Sequence, residues 1–212
     1  MLWAGVLGLV AYIGGWALSD QLRPGHDPTR QAISELFAMG EPWASRGPVL
    51  AGLVVSGVAM AALAPALHRA LPGSGRLGPG LVLVAGVGTL AVAATPCSPG
   101  CPGTQAGGID AAHTLAAGVG YLALTLAPVA FAWRLRHTVP WLAAASAVLG
   151  GTALAGLAVR YLGVLEVAPG LQQRVFNTVA DAWYLLVAAV LLVGHHRRVT
   201  TSERGRAGGR GR

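Results

Sequence analysis

Residues 47–67 read GPVLAGLVVSGVAMAALAPAL, an unbroken run of uncharged, mostly apolar positions. As a helix, such a run covers about 30 Å at ~1.5 Å per residue, the thickness of a bilayer's hydrocarbon core. Five similar runs flank it, at about 1–18, 77–94, 113–133, 139–159 and 175–193. The first has no basic leader region and no convincing small-residue cleavage site, so it is expected to remain as a helix rather than be removed as a signal peptide. The pattern predicts an all-α polytopic membrane protein, a six-transmembrane-helix bundle forming one domain over 1–196.

Composition agrees. Of the 212 residues, 54% are apolar and 11% charged, against roughly 25% charged in soluble domains. The 31 glycines suit closely packed membrane helices. No internal repeat is apparent, and no soluble domain fits between the spans. The Arg/Gly-rich end, 197–212, is expected to be a disordered cytoplasmic tail.

All fifteen basic residues are arginine. With the amino terminus inside, Arg69, Arg76, Arg134, Arg136 and six tail arginines fall on the cytoplasmic side. Arg23, Arg30, Arg46, Arg160 and Arg174 fall outside. That split follows the positive-inside rule and predicts a cell-membrane protein with both termini cytoplasmic. Every acid except Glu203 falls on the outer half. The inner basic surplus then reads as topology and attraction to anionic lipid heads, with no nucleic acid as partner. Trp43, Trp133 and Trp141 sit where interfacial anchors belong.

Cys97 and Cys101 flank a Pro-Gly turn in PCSPGCPG, in a loop placed outside. A small disulfide, two free thiols and half of a metal site are the readings open to them. In the first outer loop, Asp27-Pro28 resembles a helix start and Gly40 a stop. Between them Ile33, Leu36 and Phe37 share one face, with Arg30 and Ser34 on another. This predicts a short amphipathic helix, either lying on the membrane surface or covering a polar pocket.

Two helix starts carry further polar groups. Asp110 and His113 share a face of the fourth helix. Gln173, Asn177, Asp181 and Tyr184 share a face of the sixth. Asp181 lies about 10 Å deeper than Arg174 along that helix. A carboxylate there is costly unless it is paired, protonated or wet, so it must face the bundle interior. Arg23, Arg30, Arg160 and Arg174 are its candidate partners. The expectation is one outer site joining Asp181, Arg174, Asp110, His113 and Arg30. It reads as an interhelical network, a binding or catalytic pocket, or a proton path.

Three pieces of sequence carry a family resemblance: DPTRQAISELFAMG at 27–40, the Asp-Ala-Ala-His opening helix four, and Gly-Leu-Gln-Gln-Arg at 170–174 followed by Trp183. Together they resemble the DUF998 family of bacterial membrane proteins over nearly the whole chain. The resemblance implies an architecture and an outer polar cluster, not a reaction. A more distant similarity is to membrane hydrolases that include alkaline ceramidases, which use zinc held by three histidines with an Asp and a Ser. Here only His26 and His113 lie outside, while His68, His137, His195 and His196 lie inside, so that activity is not carried over.

The chain has no phosphate-binding loop ending in Lys, no dinucleotide fingerprint, no HExxH and no G-x-S-x-G. Three functions remain. One is a lipid- or small-molecule-binding protein with a pocket open to the outer leaflet, using Arg30, Ser34, Glu35, Arg174, Asn177 and Tyr184. The second is an intramembrane metal-dependent hydrolase or transferase acting on a lipid, with Asp20, Asp110, His113 and Asp181 as catalytic candidates. The third is an assembly subunit that self-associates through Ala147, Gly151 and Ala155 on helix five. Neither a cofactor nor a complete metal-ligand set is specified.

Overall fold

In the computed structural model the backbone is described for residues 2–163 and 167–208, while the side chains of 2, 4, 105, 106 and 195–208 are not. Of the stretch 197–212, expected to be disordered, residues 197–208 continue α6 as helix, while 209–212 and Glu166 fall outside the described residues. The described chain is all helix and loop. The helices are α1 (Leu2–Leu22), α2 (Trp43–Ala70), α3 (Leu77–Ala94), α4 (Gly108–Leu135), α5 (Pro140–Tyr161) and α6 (Pro169–Gly208). Five of them, α2 to α5 and the Pro169–Gly194 part of α6, are long and apolar enough to cross a membrane. This is a multi-pass membrane protein.

Each helix packs on its neighbours in sequence, and α6 closes back on α1, so the six form a ring. Glycines set the spacing. A Cβ on Gly52 of α2 would stand 2.5 Å from the Ala11 carbonyl of α1, and one on Gly88 of α3 would stand 2.7 Å from the Gly120 Cα of α4. In α1 and α2, Gly15 meets Pro48 and Gly8 meets Ala59, the register of an antiparallel pair. Backbones this close gain dispersion contacts, which hold helices together in lipid, where apolar burial supplies little.

One half of the ring has an apolar centre, with Leu67, Phe131, Leu135, Leu142, Trp183 and Val187 buried together. Trp183 also donates its indole N–H to Ser146 Oγ at 2.8 Å, pinning α6 to α5. At that end Arg134 of α4 donates to the carbonyls of Leu71, Pro72 and Gly75, at 2.6, 2.8 and 3.0 Å. These include acceptors left over where α2 ends.

The other end is covered by residues 23–42. Their core is a single 3-10 turn, Ile33–Phe37, rather than the longer amphipathic helix expected from 27–40. Local side chains compete for the backbone. Asp27 accepts from the Thr29 amide and hydroxyl at 2.9 and 2.6 Å. Gln31 takes the Asp27 amide at 2.8 Å, and Glu35 takes the Ala32 amide at 2.9 Å. Such bonds offer the chain an alternative to the helical ladder. The apolar face does exist, but Ile33, Leu36 and Phe37 turn inward onto Tyr12, Val49 and Leu53 instead of lying on the surface.

Candidate functional site

The cap is held mainly by α6. Arg174, in the second turn of that helix, donates to the carbonyls of Pro28 and Gln31 at 2.9 and 2.8 Å. Its Nη2 also meets both Asp20 oxygens, at the end of α1, at 2.9 and 3.2 Å. Gln173 accepts from the Ile33 amide at 2.9 Å and donates to Tyr121 Oη at 2.8 Å, tying cap, α6 and α4 together. Gly170 is needed here, because any Cβ would collide with the Gln31 carbonyl.

His26 lies at the centre of this latch, with its side chain closed to solvent. Arg23 Nη1 is 3.0 Å from Nδ1, and Asp20 is 3.2 Å from Nε2. Arg174 Nη2 also stands 3.3 Å from Nε2, so the ring lies between two guanidiniums and one carboxylate. Burial pushes the imidazole pKa below its ordinary value, Asp20 opposes this, and Arg23 and Arg174 add to it. Arg23 in turn pairs with Glu41 at 2.6 Å.

A second wall comes from the loop after α3. Cys97 and Cys101 are disulfide-bonded, with Cα atoms 5.1 Å apart. Asp110, at the start of α4, accepts from the Ser98 amide and hydroxyl, both at 2.7 Å. His113 Nδ1 bonds the Thr95 carbonyl at 2.7 Å. A carbonyl only accepts, so Nδ1 carries the proton. The Met39 amide donates to the Cys97 carbonyl at 2.8 Å, joining this wall to the cap.

Cap and wall enclose a cavity of about 290 Å³, whose lining includes Ser34, Glu35, His113, Arg160, Tyr161 and Gln173. Below it lies a narrower space of about 40 Å³, which shares Tyr12, Leu53 and Tyr121 and reaches Asn177 and Asp181. Asp181 is buried, and its Oδ2 has no hydrogen-bond partner among the described residues.

The single cluster expected from the sequence is therefore four separate groups: Arg174, the Asp110 and His113 pair, Arg30, and Asp181. Arg174 pairs with Asp20, not with Asp181, because it sits at the level of the cap and Asp181 about two turns deeper. Asp110 and His113 serve the disulfide loop. Arg30 is exposed and, among the described residues, pairs with Asp27 alone, at 3.7 Å, while Thr29 holds the Asp27 carboxyl below its ordinary pKa. Of the expected binding residues, Ser34 and Glu35 line the upper cavity. Asn177 lines the lower one, and Tyr184 lines a small space beneath it. Ala147, Gly151 and Ala155 all lie on the exposed side of α5. Among the described residues, no three His, Cys, Asp or Glu side chains gather as metal ligands would. Tyr12 and Tyr121 were not singled out from the sequence, although each is a polar tip inside an apolar run.

No curated protein matches the chain, and no solved structure matches it. The model of one family does match, over residues 6–190, described as a protein of unknown function, DUF998. That match takes in the cap, the disulfide loop, both cavities and all of α6 that lines them, so the chain belongs to the DUF998 family.

Proposed function

We propose that this protein binds a lipid or other small amphiphilic molecule in the cavity beneath its cap. The observation that carries this reading is the cavity itself. About 290 Å³ of space is lined by a carboxylate, a guanidinium, an imidazole, an amide and a hydroxyl alongside apolar side chains. A mostly enclosed pocket with a few convergent polar groups is the usual form of a small-molecule site. Tyr161 lines the cavity and is also 56% exposed, which supports an opening at the end of α5.

In this reading α1 is the sixth span, both termini are cytoplasmic and the capped end faces outward across the cell membrane. The ten-to-five distribution of arginines supports that orientation. The disulfide at the capped end supports it too, since such bonds persist in oxidising spaces.

Native mass spectrometry of the detergent-purified chain tests the proposal. The wild type should carry a discrete adduct. Ala117→Phe, which fills space where the two cavities meet, should fold and lose it. A wild type free of adducts that also gains none from added membrane lipids would refute the reading.

A further inference from the structure

Asp181 poses a problem that the cap does not solve. It is 4% exposed, at the middle of the ring, on an α6 face shared with Asn177 and Tyr184. Asn177 Oδ1, Asp181 Oδ2 and Tyr184 Oη all lack a hydrogen-bond partner among the described residues. Asn177 Oδ1 only accepts, and so does Asp181 Oδ2 when ionised. Native interiors seldom leave buried polar oxygens unpartnered, and three along one helix face leave that face short of a donor or a positive group.

Asp181 also borders open space on two sides. The narrow space above it holds about 40 Å³ and the one below about 10 Å³, and Ser56 of α2 lines both. These volumes suit one or two water-sized occupants and exclude a lipid head. No arginine or histidine lines either space. Facing Asp181 there are Tyr12 from α1, Tyr121 from α4, hydroxyl and apolar groups from α2 and α3, and Tyr184 from α6 itself. The arginine seven positions earlier on the helix, Arg174, is engaged with Asp20 and the cap carbonyls. A carboxylate in lipid-depth surroundings needs a balancing charge or a proton.

We infer that Asp181, with Asn177, Tyr184 and Ser56, forms a binding site for one small monovalent cation, reached from the upper cavity through the narrow space lined by Tyr12 and Tyr121. The chemistry is that of a compact positive charge taken up by carboxylate, amide and hydroxyl oxygens. A sodium-sized metal ion and a primary ammonium group both satisfy it. This goes beyond the proposed ligand of the upper cavity and stands whether or not that cavity holds an amphiphile.

The test is thermal unfolding of the full chain in detergent, at constant ionic strength, in sodium, potassium, methylammonium or bulky N-methylglucamine chloride. Sodium or methylammonium should raise Tm saturably over N-methylglucamine. A response to sodium alone identifies a metal-ion site, and one to methylammonium alone an amine site. Protons should compete, raising the half-saturating concentration by up to about tenfold per pH unit on acidification. Asp181→Asn should abolish the response, and Asp20→Asn should leave it. Should Asp181→Asn fail to fold, Tyr184→Phe should still shift half-saturation upward. Coincident curves for the wild type in all four salts at alkaline pH would overturn the inference. A response that survives in Asp181→Asn would overturn it equally.

Discussion

Arg174 Nη2 meets both carboxylate oxygens of Asp20, at 2.9 and 3.2 Å, across 154 positions of sequence. The pair joins the first helix of the ring to the last and anchors the cap, with side chains only 7% and 10% exposed. Removing one partner of a buried pair strands the other charge, at about 3–5 kcal/mol. Arg174→Ala should lower Tm markedly and open residues 24–32 to proteolysis. The double variant with Asp20→Asn should cost less than the two single changes summed, which a double-mutant cycle measures directly.

His26 makes the latch acid-sensitive. Its folded pKa lies below the ordinary 6.5, so the unfolded chain takes up a proton first as pH falls. The contribution is present above about 6.5 and is lost on acidification toward the lower, folded pKa. The groups around it are Asp20, Glu35, Arg23 and Arg174. Tm should decline as pH drops below about 6.5, and His26→Gln should flatten the decline. Parallel pH profiles for the two proteins would refute the assignment.

Gln173 satisfies the buried Ile33 amide and the Tyr121 hydroxyl with one side chain. Gln173→Leu keeps most of the volume and leaves the Ile33 amide unpaired, which should cost about 1–3 kcal/mol where water cannot reach it. Hydrogen exchange at the Ile33 amide should accelerate, while amides near Trp183 should not change.

The Cys97–Cys101 bridge closes a short loop that carries the Asp110 contact and the Met39 bond to the cap. Alkylation without reductant should leave the intact mass unmodified at these cysteines. Reduction should lower stability by about 2 kcal/mol, as chain entropy predicts for so short a loop.

Gly88 and Gly120 bring α3 and α4 into backbone contact. Gly88→Leu should force that pair apart and prevent a stable fold, because the obstacle at 2.7 Å is backbone rather than a movable side chain. Gly14, with open space around its absent side chain, should accept Leu with little change in Tm.

Local sequence determined the helices, because hydropathy and helical period act within one turn or one span. The run at 47–67 needed no partner to be read as a helix, and the 4, 4, 3 spacing alone put Gln173, Asn177, Asp181 and Tyr184 on one face. The cap was only half legible. The inward residues Ile33, Leu36 and Phe37 follow from their spacing, but side-chain competition from Asp27, Gln31 and Glu35 shortened the helix to one turn. Tertiary structure alone decided which charge meets which. Charges at similar membrane depth have several possible partners, and the choice depends on ring closure, which brings α1 beside α6. That closure gave Arg174 to Asp20 and left Asp181 below them facing a cavity, a difference of about two helical turns that no local pattern encodes.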